Sequence, residues 1–259
     1  MKHFPRKRFG QHFLVDQFIL QSIVRSINTK PNDHLVEIGP GQAALTDYLV
    51  KEVQQLDVIE IDRDLIAPLK ERFSGYSGFK VHQADALDFD FKSLQTGTKK
   101  LRVVGNLPYN ISTPLLFHLF DELDCIEDMH FLLQKEVVER LCAPPNDEHY
   151  GRLSVMAQYY CQCSYLFEVG PEAFDPPPKV DSAVIRLVPQ VENRLVAKDP
   201  ARLSVIVREA FNQRRKTLAN SLKQLISGTQ LEELGIDPKR RAQELSVAEF
   251  VKISNQLNL

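Results

Sequence analysis

The chain of 259 residues is short of three things: cysteine, long apolar runs and an excess of charge of one sign. Its four cysteines stand at 125, 142, 161 and 163. Cys161 and Cys163 have C-x-C spacing, but no second pair stands where it could complete a zinc cage, so no metal site is expected. The four read instead as buried, reduced thiols of a cytoplasmic protein. No run approaches the roughly 18 apolar residues that cross a bilayer, so no membrane segment is expected. The opening stretch, MKHFPRKRFGQHFLVDQ, is basic, yet it lacks the apolar centre and the small-residue cleavage site of a secretory signal. Lysine and arginine number 32 against 34 aspartates and glutamates, a net charge of −2, so bulk charge does not mark a nucleic-acid binder. Charge can still be local. PRKRFG near the start, NQRRK at 212–216 and PKRR at 238–241 are basic spots, which are either solvated surface or contacts for phosphates.

What is present is an ordinary globular composition, 43% hydrophobic and 25% charged, in a chain long enough for one large α/β domain and a small second one. Ile19, Ile23 and Ile27 recur four apart behind Asp16, a helix with its N-cap. HLVEIG, LDVIEID, FKVHQAD, LRVVGNL and MHFLLQ read as strands, and amphipathic helical stretches separate them. Pro68 falls inside one of these helices, and Thr113–Pro114 reads as the N-cap and first residue of another. Alternation of this kind indicates βαβ units and a mostly parallel sheet. After a polar loop and the helix LSVMAQYYC come SYLFEV and SAVIRLV, joined by GPEAFDPPPKVD, too short and proline-rich for a crossover helix. These last two of seven strands are expected as antiparallel neighbours at a sheet edge. From about 190 only helical periods remain, with Asp199–Pro200 and the capping box Ser246-x-x-Glu249 as helix starts. The expected division is an α/β domain over 1–190 and a small all-α domain over 195–259.

The chemistry is expected on the carboxyl ends of the strands, where open parallel sheets bind ligands. VEIGPGQAALT is a strand, a glycine turn and a helix; Gly39 and Gly41 let the backbone turn tightly and approach a ligand. Glu60 ends the next strand, where a carboxylate can accept from both hydroxyls of a ribose. Asp85 ends the third, placed to accept from the exocyclic amine of an adenine. Together they suggest an adenosine, although the glycines and one acid also fit a dinucleotide oxidoreductase. NLPY follows the fourth strand. Asn106 offers a carbonyl oxygen, Pro108 fixes the backbone so that the Leu107 carbonyl can turn outward, and Tyr109 can stack on a ring. Two acceptors converging beside an aromatic face suit the amino group of a nucleobase.

N-L-P-Y in this position resembles the [DNS]-P-P-[YF] motif of amino-group methyltransferases. In addition RKRFGQHFL, EIGPGQAALT, GNLPYNISTPLL, LQKEV, YGRLSV, FDPPPKVDSAV and FNQRRKTL, in this order, closely resemble the KsgA-type 16S ribosomal RNA adenine dimethyltransferases over nearly the whole chain. The resemblance implies a Rossmann-like class I methyltransferase sheet and S-adenosylmethionine as methyl donor. It implies that Gln11, His12 and Leu14 join Gly39, Gly41, Glu60, Asp85 and Asn106 in binding the donor. The substrate it implies is two adjacent adenines near the 3′ end of 16S rRNA, within an immature 30S subunit. Asn106, Leu107, Pro108 and Tyr109 would hold the base, with Phe174 on its other face, and no general base is assigned. Arg6, Lys7 and Arg8, and Arg214, Arg215 and Lys216, would contact rRNA phosphates, and the protein is expected to be a monomer. One departure stands out: the family usually has asparagine where this chain has His12.

Three other readings stay open at this point. A sibling enzyme would dimethylate 23S rRNA, an oxidoreductase would bind NAD, and an assembly factor would bind RNA without turnover.

Overall fold

The four-residue recurrence of isoleucine behind Asp16 produces the first helix, α1 (Gln17–Ile27). Its start is fixed as the sequence predicts, with the Asp16 carboxylate accepting from the Phe18 and Ile19 N–H groups, and Leu20, Ile23 and Ile27 are buried. The computed structural model describes residues 12–190, 196–213 and 215–257. Before α1 lies the two-residue strand β1 (Phe13–Leu14). The βαβ alternation then follows as β2 (His34–Ile38), α2 (Thr46–Glu52), β3 (Gln55–Glu60), α3 (Arg63–Arg72), β4 (Phe79–Gln83), β5 (Leu101–Asn106), α4 (Ser112–Phe120) and β6 (Ile126–Gln134). α5 (Lys135–Cys142), α6 (Arg152–Tyr160), β7 (Cys161–Val169), β8 (Phe174–Asp175) and β9 (Ser182–Pro189) follow.

Seven strands form one sheet in the order β4-β3-β2-β5-β6-β9-β7. β2 pairs in parallel with β3 and β5, β3 with β4, and β5 with β6, while β9 is antiparallel to β6. β9 and β7 are neighbours at one edge, where the short connection between them requires. Valine, isoleucine and leucine on β2, β3 and β5 are buried on both faces, as expected of a parallel sheet covered by helices.

Two local expectations change. α4 starts at Ser112, and Ile111 rather than Thr113 is its N-cap, without a side-chain bond. Pro114 therefore sits within the first turn, where a missing N–H costs nothing because the first four have no partner in the helix. The short strand β8 also lies inside the GPEAFDPPPKVD connection, where it pairs antiparallel with β1: Phe13 opposite Asp175 and Leu14 opposite Phe174.

The chain divides into two compact units, and the division differs from the expected 1–190 and 195–259. One unit holds the chain up to Val138 with Ser164–Pro189; the other holds Glu139–Cys163 and the chain from Gln190 on. The second unit thus takes in α6 beside the C-terminal helices α7 (Pro200–Phe211), α8 (Leu218–Ser221), α9 (Gly228–Glu233) and α10 (Val247–Gln256). Physical reasons are visible. Tyr150 is buried, its hydroxyl donates to the Leu245 carbonyl at 2.8 Å, and its ring meets Phe211, which meets Phe250. Both expected helix starts are present, with Asp199 capping α7 and the Ser246–Glu249 box capping α10.

Candidate active site

Because β4, β3, β2 and β5 are parallel neighbours, the residues that end them share one rim, and there they line a single cavity. Gly39 and Gly41 have φ of +68° and +55°, the left-handed region that favours glycine. The Gly39 N–H donates to the Ile59 carbonyl at 2.9 Å, which ties the turn to β3. A Cβ at Gly41 would stand 3.0 Å from the Phe13 ring, so the N-terminal strand closes against this turn.

Glu60 is 4% exposed. Its Oε2 accepts from the Gly41 N–H at 3.2 Å and its Oε1 from the Asp62 N–H at 2.8 Å. Burial pushes its carboxyl above the ordinary range, and the two backbone bonds offset part of that rise. Each oxygen has a second lone pair, so the group can still receive two hydroxyls. At the end of β4, Asp85 uses Oδ1 to accept from the Leu87 N–H at 2.9 Å, and Oδ2 is the second acceptor of that carboxylate.

Asn106 ends β5, and its Nδ2 donates to the His12 carbonyl at 3.1 Å. A carbonyl only accepts, so this contact fixes which way the amide faces: the NH₂ toward His12, the Oδ1 away from it as an acceptor. The Leu107 N–H donates to the Leu132 carbonyl at 3.2 Å, which pins the start of the turn to β6. The Tyr109 hydroxyl is paired with the Ser182 Oγ at 2.8 Å. Burial raises its phenol pKa and the Ser182 bond lowers it in part, so Tyr109 stays neutral and presents a ring.

The cavity wall brings together His12, Leu14, Gly39, Gly41, Glu60, Asp85, Asn106, Leu107, Pro108 and Tyr109, each of which the sequence singles out. Phe174 is not on that wall. It is 4% exposed and packs in the core with Leu14, Val184 and Ala173, because β8 turns it inward opposite β1. Gln11, Arg6, Lys7, Arg8 and Arg214 lie outside the described residues. Arg215 and Lys216 are exposed in the helical unit.

The wall also contains residues that the sequence reading passed over, chief among them Glu37 and Ile61. Glu37 is 2% exposed, and its Oε2 accepts from the Thr46 hydroxyl at 2.7 Å. Burial pushes its carboxyl up to about 8, the Thr46 bond opposes this, and the nearby Glu60 charge adds to it. An acid two residues before Gly39 was the available signal. Ile61 follows Glu60 and is 48% exposed, an apolar side chain left open at the cavity. Its signal was its place one residue beyond a strand end.

Comparison with known proteins decides among the open readings. The model of the ribosomal RNA adenine dimethylase family matches residues 2–259. The chain belongs to that family. It is an enzyme that transfers methyl groups from S-adenosylmethionine to adenine in ribosomal RNA. Among its relatives are two proteins named ribosomal RNA small subunit methyltransferase A. That of Coxiella burnetii is 58% identical over 259 residues and that of Methylococcus capsulatus 57% over 261, both covering all of each chain. A dimethyladenosine transferase from Plasmodium falciparum has a similar structure, with a TM-score of 0.81 and 26% identity over 93% of this chain and 96% of that one. The 23S rRNA methyltransferase ErmE shares the fold, with a TM-score of 0.74 at 23% identity over 95% of this chain and all of that one. The NAD reading is thereby set aside.

The dimethylase wall fits the donor. Glu60 is a doubly anchored carboxylate that could accept from a ribose, Ile61 an exposed apolar side chain that could meet a purine face, and Asp85 an acceptor that could take its amine. Open space surrounds Gly39, where a Cβ would meet nothing within 4 Å.

Proposed function

We propose that this enzyme places two methyls on the N6 of each of two adjacent adenines near the 3′ end of 16S rRNA, and that its substrate is an immature 30S subunit. The observation that carries the base-side chemistry is the Asn106 amide, locked by the His12 carbonyl with Oδ1 presented as an acceptor. The small-subunit target rests on the full-length similarity to proteins named for it.

When bound, S-adenosylmethionine supplies an electrophilic methyl on a sulfonium. Glu60 and Asp85 hold its adenosine, and Gly39 and Gly41 let the backbone approach it. The target adenine leaves its stack and lies against Tyr109. Its amine is a poor nucleophile because the lone pair is delocalised into the ring. The Asn106 Oδ1 and the Leu107 carbonyl accept its two hydrogens, which shifts density onto nitrogen and fixes its direction. The same dipoles stabilise the positive charge that develops there. NLPY contains no carboxylate or histidine, so no general base is assigned: the carbon–sulfur bond breaks as the carbon–nitrogen bond forms, the methylated nitrogen then loses its proton to water, and alignment supplies the rest.

Phosphate contacts are assigned to the basic runs. In the helical unit, Thr217 and Leu218, which follow Arg215 and Lys216, are joined to the run 238–241 by an antiparallel bridge between Thr217 and Arg241 and a bond from the Leu218 N–H to the Arg240 carbonyl at 2.8 Å. Arg240 is held by Glu249, whereas Arg215, Lys216, Lys239 and Arg241 are exposed. Such contacts set register on RNA rather than read its sequence. We assign the protein to the cytoplasm as a monomer without a metal.

The test is to incubate the enzyme with unmethylated 30S particles, with 50S particles as a second substrate, and to map N6,N6-dimethyladenosine by mass spectrometry. Two neighbouring modified adenines in 16S rRNA are expected. Modification confined to 23S rRNA overturns the assignment.

A further inference from the structure

His12 touches three parts of the site at once, and each contact uses a different part of the residue. Its backbone carbonyl accepts from Asn106 Nδ2 at 3.1 Å. Its Nδ1 lies 2.7 Å from the Pro176 carbonyl. That oxygen only accepts, so Nδ1 carries the hydrogen and donates it. The imidazole plane lies 26° from that of Tyr109, with centroids 5.8 Å apart, a stacked pair. The Tyr109 hydroxyl is meanwhile tethered to Ser182 on β9. The ring of Tyr109 is therefore held at its hydroxyl end by Ser182 and along its side by His12.

The tether of His12 has its own anchor. Pro176 directly follows β8, which pairs with β1, and the Val15 N–H donates to the Ala173 carbonyl at 2.8 Å. Residues 12–15 and 173–176 thus form one strap, and His12 is the point where the strap reaches the base acceptor and the stacking ring. None of these side-chain contacts points to the donor-holding acids Glu60 and Asp85. An asparagine at this position would keep the backbone contact and could donate to Pro176, but it would offer Tyr109 no ring.

We infer that the His12 side chain is a positioning residue of the base-binding half of the site: pinned to the Pro176 carbonyl, its imidazole holds the Tyr109 ring at the angle at which a purine stacks. The inference rests on the reading of NLPY as the base clamp given above. It separates two roles of one residue, with the carbonyl orienting the Asn106 amide and the imidazole orienting Tyr109. Removal of the side chain leaves the first role intact and removes the second. Tyr109 then samples orientations that a base cannot stack on, and binding and turnover of RNA suffer while donor affinity does not.

The experiment compares His12→Ala, His12→Asn and His12→Phe with the wild type. Donor affinity is measured by calorimetry with S-adenosylmethionine, and kcat and KM are measured on unmethylated 30S particles at saturating donor. Melting temperatures serve as the folding control. The resemblance counts His12 among the donor-binding residues, but its backbone carbonyl survives every substitution and its Nδ1 is committed to Pro176, so donor Kd within about threefold of wild type is expected for all three variants. His12→Ala is expected to lose roughly tenfold in kcat/KM for the particle, the scale of a single aromatic pair. His12→Phe, which keeps a ring but no bond to Pro176, and His12→Asn, which keeps a donor but no ring, should each recover part of that loss. A His12→Ala protein whose donor affinity falls tenfold while kcat/KM at saturating donor is unchanged would make the side chain a donor ligand and overturn the inference. So would particle kinetics unchanged in all three variants. If His12→Ala does not fold, full wild-type kinetics in both His12→Asn and His12→Phe overturn it as well. Failure of the underlying reading looks different, because the wild-type enzyme itself would then leave 30S particles unmethylated.

Discussion

Gly105→Ala places one methyl group between the two halves of the site. Gly105 is the penultimate residue of β5, and a Cβ there would stand 2.6 Å from the Ile38 carbonyl oxygen and 3.1 Å from the Leu107 Cδ2. An ordinary carbon–oxygen contact is about 3.3 Å or more, so the end of β2 and the end of β5 must separate by roughly 0.7 Å. The obstacle is backbone, in strands paired from His34 opposite Leu101 to Glu37 opposite Val104, and it cannot swing aside like a flexible side chain. Overpacking of this kind costs about 1–3 kcal/mol. At about 2–4 °C per kcal/mol for a protein of this size, the melting temperature should fall by roughly 2–12 °C. The functional loss should be larger, because the separation moves the Gly39 turn relative to Asn106. A misplacement approaching 1 Å can cost about 100-fold in rate, so a fall in kcat of about 10- to 100-fold is expected. The assays are thermal unfolding and single-turnover methyl transfer, with Gly75→Ala as control. Gly75 is exposed and has nothing within 4 Å of its Cβ position, so that variant should match wild type. Wild-type stability and turnover in Gly105→Ala would refute the claim that close approach of β2 and β5 sets the geometry of the site.

Three further predictions come from buried charges. Glu60→Gln keeps the shape but turns an acceptor-only group into one that must present an NH₂, against N–H donors at Gly41 and Asp62. Donor affinity should fall at least tenfold by calorimetry, the scale of one hydrogen bond to a charged group, about 1.5–3 kcal/mol. Glu37 has a folded pKa of about 8 against an ordinary 4.5, so the folded state keeps a proton that the unfolded chain has lost. Its contribution to stability is complete below the unfolded value and is lost as pH rises toward 8, at about 1.4 kcal/mol per unit. Glu37→Gln should therefore lose less stability than wild type between pH 5 and pH 8 in urea titrations, and an equal slope contradicts the assignment. Arg102 is 6% exposed, makes a paired contact with Asp128 at 2.8 and 2.9 Å, and reaches Asp33 at 2.8 Å. Burial would raise the Asp128 carboxyl, but the Arg102 bonds outweigh it and hold the group below its usual range. Arg102→Ala takes the buried cation from both acids, leaving Asp128 with Arg186 and Asp33 with the Lys30 N–H, and should destabilise by about 3 kcal/mol in chemical denaturation, the low end for breaking a buried pair.

The parallel sheet was legible because its strands are continuous valine, isoleucine and leucine runs that stop at glycine, glutamate, aspartate and asparagine. Periodicity locates the strands, and parallel packing places their ends on one rim. That is why Gly39, Glu60, Asp85 and Asn106 could be grouped before any coordinates were known. The parts that escaped have no period. β1 and β8 are two residues each, too short to alternate, and pair across about 160 residues of chain. Phe174 shows the consequence: proline-rich flanks make it look like an exposed loop aromatic, whereas pairing with Leu14 turns it into the core. The unit boundary was missed for a similar reason. Composition changes near residue 190, but α6 joins the C-terminal helices through contacts such as Tyr150 with Leu245, which no local pattern records. Glu37 escaped because one acid before a glycine turn has no distinguishing spacing.

The central claim is that an acceptor fixed at the end of β5 directs an adenine amine toward a donor held on the same rim. Its most direct test is the single-turnover rate of methyl transfer by Asn106→Ala on unmethylated 30S particles, at saturating donor and particle. Loss of one preorganised polar group facing a developing charge costs roughly 100- to 1,000-fold, and a fall of that size with donor affinity changed less than threefold is the predicted result. A rate equal to wild type at equal saturation would contradict the account.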